Sequence, residues 1–305
     1  MSRSKHATQG QASPAPTGDR KTQIDGKSGI QTGWLVAVSL FGYALIALAT
    51  RFGLVRAFAA LFEAWGIDGT SVQRAPVWAQ ALYRWHGSLG TVAFAALSLA
   101  LSRRLRGMWR LEGPLIPAPT AGLWGASLSG VLMAVIIAAL CLLPDSMRLE
   151  WPLTAPRFTA ALPVLCAVSL LSTLGEEAFL KRVLFDGLRE NWNGIWAAAV
   201  VCAVFWLTGG GLAGGVVASV NVLLLGLACC LLYTRYGFWT SVGFRWGWGI
   251  ANVFLLGFGG GNAAIYRMYG VSEVLLTGAD AGPMHGLWAT VMLAGVIVGL
   301  TWKRK

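Results

Sequence analysis

Charged residues are scarce in this chain of 305 residues, of which only 12% are charged and 56% are hydrophobic. A soluble domain carries about a quarter charged residues, so the polar groups here cannot cover a globule. This scarcity excludes an ordinary soluble protein and indicates that lipid acts as solvent for much of the surface. Apolar runs long enough to span a bilayer recur along the sequence, which predicts an all-α polytopic membrane helix bundle.

Histidine is also rare, and cysteine never occurs at the spacing of a metal site. His86 and His285 lie at predicted outer ends of spans, and His6 lies in a polar amino-terminal segment. The five cysteines lie in apolar segments and are interpreted as packing residues. No two histidines share a helix face at a metal-binding spacing. We therefore expect neither a metal nor another cofactor, while the roles of His86 and His285 stay open.

The hydropathy pattern predicts about eight membrane-spanning helices. They are placed at 34–50, 82–102, 121–143, 158–175, 195–208, 216–233, 238–256 and 287–302. An amphipathic segment, 52–65, follows the first of them and is expected to lie at the membrane interface.

Three regions follow from this layout. Residues 1–30 are polar, have almost no aliphatic side chains, and are predicted to be a disordered cytoplasmic tail. Residues 31–120 hold two spans and the amphipathic segment, and residues 121–305 hold the remaining six spans.

The basic residues give the formal net charge of +11 and cluster in short groups at the ends of apolar runs. With the amino terminus inside, most of the 24 lysines and arginines fall on the cytoplasmic side, as the positive-inside rule requires. We therefore expect a multi-pass protein of the cell inner membrane with both termini in the cytoplasm. No basic face interleaved with aromatic residues is present, which argues against nucleic acid as a partner.

Three ionisable side chains fall where the membrane interior is predicted. Glu176 and Glu177 stand at the cytoplasmic end of the fourth predicted span, and Arg245 lies in the seventh. An ionisable group at this depth costs a few kcal/mol and is a functional candidate. Alternatively, the two acids simply mark a helix end near the cytoplasm. Glu177 and Lys181 are four residues apart with the acid first, the favourable order for a pair.

The stretch 176–188, EEAFLKRVLFDGL, resembles the first motif of the CPBP intramembrane proteases, the family of CAAX prenyl proteases and bacteriocin-processing proteins. That motif has two glutamates, three residues and an arginine, and Lys181 occupies the arginine position. Residues 205–209, FWLTG, are similar to the second motif, with Gly209 in the place of its histidine. Residues 241–249 resemble the third motif, with Arg245 at the second histidine and Gly249 at the asparagine. The resemblance extends over roughly residues 121–305.

The resemblance implies a glutamate that activates water, and histidines and an asparagine that hold a metal or stabilise an oxyanion. This sequence keeps Glu176 and Glu177 but loses both histidines. Gly209 has no side chain to offer, and Arg245 has no lone pair for a metal. Family-type hydrolysis is therefore not expected. A buried cation beside two carboxylates should pair with one of them, so we expect Arg245 to bind Glu176 or Glu177.

Three functions are compatible with these patterns. The first is a catalytically degenerate member of the family that binds or assembles a membrane protein or peptide. The second is an active glutamate-dependent endopeptidase, in which Arg245 stabilises the oxyanion. The third is a small-molecule or ion transporter, although neither duplicated halves nor paired broken spans are evident.

Overall fold

The computed structural model describes residues 29–67, 77–142, 147–150, 158–209, 215–256, 267–270, 274–278 and 282–302. Within these ranges the chain is helical apart from short turns and one pair of strands. The α-helices are α1 (Gly29–Leu48), α2 (Val55–Ala64), α3 (Val77–Trp109), α4 (Gly122–Leu142), α5 (Phe158–Phe179), α6 (Asp186–Asn191), α7 (Gly194–Thr208), α8 (Gly215–Tyr236), α9 (Phe238–Ile250), α10 (Val274–Thr277) and α11 (Leu287–Trp302). The predicted all-α membrane bundle is confirmed.

Three π-helical segments and a 3-10 turn interrupt or extend these helices. The π segments are Ala49–Leu54, Leu180–Phe185 and Ala251–Leu255, and the 3-10 turn is Pro283–His285. Strand β1 (Met147–Glu150) pairs antiparallel with β2 (Arg267–Gly270), with Met147 opposite Gly270. This two-stranded ribbon is the only sheet in the described part of the chain.

Each of the eight predicted spans falls on a helix of the structure. Four helical stretches have the length and apolar composition to cross a bilayer: Gln31–Leu48, Gly122–Leu142, Leu162–Asn191 and Gly215–Tyr236. The apolar helices α7 and α11 are shorter. The number eight stays a prediction, and the predicted tail lies almost wholly outside the described residues.

The helix that carries the fourth predicted span does not end with that span at residue 175. The helix runs on from α5 through the π segment Leu180–Phe185 into α6, and the candidate span reaches Asn191. Sequence reasoning ended the span early because Glu176, Glu177, Lys181 and Arg182 resemble a polar boundary. Their charges are instead largely buried against neighbouring helices, so the chain stays helical through them.

The core is formed where α1, α3 to α9 and α11 meet. Its largest wholly enclosed side chains include Trp109, Tyr43, Phe179 and Phe185. The rings of Tyr43 and Phe179 stack with centroids 4.1 Å apart, which holds α1 against the end of α5. Large apolar side chains such as Trp34, Trp124 and Trp302 remain exposed, as expected where lipid is the solvent.

Helix α2 has the two-sided character that the sequence predicts for 52–65. Phe62 is buried, while Glu63 next to it is exposed. Ile67, just after the helix, folds back so that its amide donates to the Phe62 carbonyl at 2.8 Å. The predicted location of this segment at the membrane interface stays a prediction.

Candidate functional site

The two glutamates stand at the middle of the Leu162–Asn191 span, not at a helix end. Gly175, immediately before them, lies against α3: a β-carbon there would be 3.0 Å from Cα of Ala95. This close approach seals one side of α5, because no larger residue fits between the helices. The acids therefore do not mark a helix end, and their position relative to the cytoplasm stays a prediction.

Arg245 is carried to the acids by a tight contact between α9 and α4. Gly243 and Gly247 are four residues apart on one face of α9, and a β-carbon at either would overlap a backbone carbonyl of α4. Those carbonyls belong to Leu123 and Ser127. Small residues at this spacing let membrane helices approach closely. The contact fixes α9 in rotation and in depth.

The Arg245 guanidinium binds both glutamates. Nη1 donates to Oε1 of Glu177 at 3.1 Å, and Nη2 forms the ion pair with Oε2 of Glu176. Adjacent residues on a helix point about 100° apart, but the two arms of a planar guanidinium can serve both. The expected ion pair is thus present, and it includes both acids instead of one.

Further contacts complete this cluster. Ser241, one turn before Arg245, donates its hydroxyl to Oε2 of Glu177 at 2.7 Å. The Arg245 guanidinium carbon lies 4.6 Å from the centre of the Phe205 ring, a favourable cation–π arrangement. Glu177 is fully buried, whereas 15% of the Arg245 side chain is exposed. Ser241 was not singled out from the sequence, although its position four residues before Arg245 could have indicated it.

Lys181 is wholly buried one turn after Glu177. Its ammonium donates to Sγ of Cys230 on α8 at 3.2 Å, and it lies close enough to Glu177 for their charges to attract. The direct Glu177–Lys181 pair that the spacing suggested does not form in the described structure, because the π segment begins at Leu180 and turns Lys181 toward α8. With both acids ionised, Arg245 and Lys181 make the buried cluster electrically neutral, which lowers the cost of burying it.

Gly209 caps the carboxyl end of α7, and its amide donates to the Phe205 carbonyl at 2.7 Å. A β-carbon at this position would be 2.8 Å from that carbonyl oxygen and 3.3 Å from Cγ1 of Val222. Any side chain here would therefore press on its surroundings. Gly209 supplies no side-chain group to the cluster. It is linked to the cluster only indirectly, because its amide binds the carbonyl of Phe205, whose ring contacts Arg245.

Gly249, at the position of the family asparagine, has open space around it within 4 Å. Asn252, two turns after Arg245, donates its amide to the Trp248 carbonyl at 2.8 Å. No contact joins Asn252 to either glutamate within the residues described. The structure therefore shows no substitute for the missing asparagine there.

His285 does not join the glutamates. Asn221, fully buried on α8, donates to the carbonyls of Met284 (2.8 Å) and Gly286 (3.0 Å), which fixes the turn that carries His285. Cys229, which lies near Glu177, is eight residues further along α8, about 12 Å along the helix axis. The side chains of His86 and His6 lie outside the described residues.

The donor set does not suit a metal. Arg245 and Gly209 stand where the family motifs have histidines, and neither can be a ligand. Across the ranges that the structure describes, no three His, Cys, Asp or Glu side chains form a group that could hold an ion. The expectation of no cofactor stays a prediction.

A second polar network ties the start of α6 to the loop after α3. Asp186 accepts hydrogen bonds from the Tyr233 hydroxyl at 2.8 Å and from Nη1 of Arg182 at 2.9 Å. Arg182 also donates to the Pro114 carbonyl at 2.8 Å, and Arg106 donates to the carbonyls of Arg182 and Gly113. This network holds the end of the 162–191 helix firmly.

An apolar groove opens between α4, α8, α9 and α11. Its volume is about 850 Å³. Small residues of α4, namely Gly122, Ala126 and Ser129, form one wall, and Met292 and Val296 of α11 form another. Phe244, next to Arg245 in the chain, also lines the groove.

Residues 158–251 match the family model described as "Type II CAAX prenyl endopeptidase Rce1-like". No curated protein and no solved structure matches the chain. The matched stretch contains Glu176, Glu177, Lys181, Gly209 and Arg245, while α4 and α11 lie outside it. The match confirms the predicted family resemblance over these residues. The membrane-spanning candidates of the described chain are those of a multi-pass membrane protein.

Proposed function

We propose that this protein is a non-catalytic member of the CAAX-protease-like group, which binds a transmembrane segment of a partner protein in the membrane. One observation carries the proposal: the Arg245 guanidinium binds both Glu176 and Glu177. A carboxylate that acts as general base must accept a proton from water. Here the position of a motif histidine is filled by a cation that neutralises the base.

The groups that would stabilise the oxyanion during peptide hydrolysis are missing or occupied as well. Loss of a single oxyanion donor costs about two to three decades in rate. Gly209 and Gly249 supply no side-chain donor, and Arg245 is already engaged by the acids. The remaining arrangement favours a rigid buried cluster that holds α5 to α9.

The groove between α4, α8, α9 and α11 is the surface we assign to the partner. Its α4 wall places Gly122, Ala126 and Ser129 side by side, and Thr240 adds a hydroxyl on α9. Small and hydroxylated residues are typical of contacts between membrane helices, because they allow close approach and interhelical hydrogen bonds. A transmembrane helix is therefore the occupant that this chemistry fits.

Site-specific photo-crosslinking in native membranes tests the proposal. A photoreactive residue at Ser129, in the groove, should give a discrete adduct whose crosslinked peptide belongs to a transmembrane segment. The same residue at Leu128, which is 60% exposed on α4 but outside the groove, is the matched control. Ala126→Trp should abolish the Ser129 adduct by filling the groove. Lipid adducts alone at both positions would rule the partner out.

An active endopeptidase is the second candidate, and one contact favours it. The Arg245 side chain is 15% exposed and touches Glu176, so a base and a strong donor lie side by side. Purified protein in nanodiscs, incubated with a farnesylated CAAX peptide, distinguishes the two functions. We expect no cleavage by the wild type. Cleavage that is lost in Glu176→Ala would establish the enzyme instead.

The cell inner membrane is the location we propose, with both termini in the cytoplasm. The distribution of lysine and arginine along the sequence supports this orientation.

A further inference from the structure

Three exposed arginines lie at the end of α3, on the two turns that follow its predicted membrane-spanning part. They are Arg103, Arg104 and Arg110, and within the described part of the chain none of them forms an ion pair. The ion pairs that the described residues do form belong to Arg182 and Arg245. Three positive charges without a protein partner therefore stand where the helix leaves the apolar region.

Arg106, in the middle of this group, is used differently and holds the helix end in place. Only 6% of it is exposed, and its guanidinium donates to the carbonyls of Arg182 and Gly113, each at 2.8 Å. Trp109, at the last position of the helix, is wholly buried and donates to the Ser39 hydroxyl of α1 at 3.2 Å. The end of α3 is therefore firmly fixed, and the exposed arginines project from a rigid backbone.

Arg110 has a backbone conformation that residues with a side chain rarely adopt. Its φ is 56°, in the left-handed region that glycine usually occupies just after a helix. Its amide donates to the Gly107 carbonyl at 3.2 Å, and the amide of Leu111 donates to the Arg106 carbonyl at 3.0 Å. Glycine would make the same helix ending without strain. An arginine kept in a strained position indicates that its side chain has a use.

Gly107 leaves an open space between two of the arginines. Arg103 and Arg110 are seven residues apart, about 10 Å along the helix axis, and lie on the same side of α3. Gly107, between them, is exposed, and a β-carbon there would have nothing within 4 Å. The side chains of both arginines are long enough to reach one group above Gly107. Arg104 lies about 100° further around the axis and borders the same space.

An apolar surface of α3 leads directly up to these arginines. Leu97, which is 46% exposed, and the exposed Ala100 precede Arg104 by seven and four residues, so the three share one face of the helix. A molecule bound along this face would contact apolar side chains at one end and guanidinium groups at the other. A phospholipid with an anionic headgroup combines the two complementary chemistries.

We propose that the carboxyl end of α3 binds one anionic phospholipid. Its phosphate lies over Gly107 between Arg103 and Arg110, and its acyl chains follow Leu97. Arginine suits this ligand because its planar guanidinium donates two parallel hydrogen bonds to a phosphate. Basic clusters at the end of a membrane span attract anionic lipids of the adjoining leaflet. The inference does not rest on the proposed function, since α3 contributes no residue to the lining of the groove.

Native mass spectrometry of the purified full-length protein measures this binding. The protein is delipidated in a mild detergent, and phosphatidylglycerol or phosphatidylcholine is added at equal concentration. The wild type should bind one phosphatidylglycerol more tightly than phosphatidylcholine, and the preference should shrink as the salt concentration is raised, because ions screen exposed charges. Arg103→Gln and Arg104→Gln should each weaken phosphatidylglycerol binding about fivefold and leave phosphatidylcholine binding unchanged.

Arg110→Gly separates loss of the ligand from loss of the fold. Glycine suits the left-handed backbone, so the unfolding temperature in detergent should stay the same or rise, while phosphatidylglycerol binding should fall about fivefold. Arg189→Gln is the matched control and should keep the wild-type preference. Arg189 is an exposed arginine of α6 at the same end of the bundle, since Gly187 of α6 lies against the Trp109 ring.

Four results would overturn the inference. Equal affinities of the wild type for the two lipids would exclude a site for anionic lipid. An equal loss of preference in Arg189→Gln would mean that only the general surface charge attracts the lipid. Displacement of phosphatidylglycerol by inorganic phosphate at constant ionic strength would indicate a site for a soluble anion. A fall in the unfolding temperature of Arg110→Gly would show that arginine is kept at this position for the fold.

Discussion

Arg245 binds two carboxylates that would otherwise be very costly to bury inside the bundle. Its planar guanidinium offers two parallel arms, and the structure uses one for each glutamate. A lysine is a point charge on a flexible stem and cannot make this two-armed contact. The identity of the residue therefore matters as well as its charge.

Replacement of Arg245 by methionine should destabilise the protein by about 3–5 kcal/mol, because two buried acids lose their cation. Thermal unfolding in detergent measures this as a large fall in midpoint temperature. Arg103→Met, at an exposed position on α3, is the matched control and should have little effect. The triple variant Glu176→Gln, Glu177→Gln, Arg245→Met should recover much of the loss. An unchanged midpoint temperature for Arg245→Met would show that the ion pairs of Arg245 with Glu176 and Glu177 do not stabilise the fold.

At the level of the helices, the α4–α9 contact decides where Arg245 can be. Gly243 and Gly247 lie directly on backbone carbonyls of α4, and Gly130 of α4 lies on backbone atoms of α9. The two helices thus meet backbone to backbone over about two turns. No side chain can be added to this seam without moving a helix that carries part of the site.

Gly247→Leu should therefore destabilise the bundle by about 1–3 kcal/mol or more, since overpacking forces the backbones apart. It should also weaken the Arg245 ion pairs, because α9 would shift away from its present position. Gly249→Leu places the same side chain two residues further on, where nothing lies within 4 Å, and should be tolerated. Equal unfolding temperatures for the two variants would contradict the close backbone packing of α9 against α4 at Gly247.

Much of this arrangement can be predicted from the sequence, and the reasons for the failures are local. Hydropathy locates the helices because apolar length is set by the bilayer, and charge marks Glu176, Glu177 and Arg245 as residues needing partners. The path of the chain after Glu177 could not be predicted, because a π turn at Leu180 has no clear signal in composition. For the same reason the contact of Lys181 with Cys230 was missed.

For the molecule as a whole, the charges lie mostly beyond the apolar segments, and their distribution predicts its orientation in the membrane. Single cysteines introduced at Ser4 and at Lys303, in a background without other cysteines, should react with a membrane-impermeant maleimide only after the membrane is opened. Asn262→Cys, in a segment predicted to be outside, is the control and should react in intact cells. Reaction of either terminal position in intact cells would contradict the prediction that both termini lie in the cytoplasm.

The π turn at Leu180–Phe185 sets a rotational phase between two clusters on one continuous helix. Glu176 and Glu177 precede it and face α9, whereas Asp186 follows it and faces Tyr233 of α8. The six residues of this π segment cover about the same rotation as five residues of a regular α-helix. If the same six residues were α-helical, Asp186 would be turned about 100° further around the helix axis, away from Tyr233. The extra residue held in the π segment is therefore what allows one continuous helix to meet both α9 and Tyr233 of α8 in the observed phase.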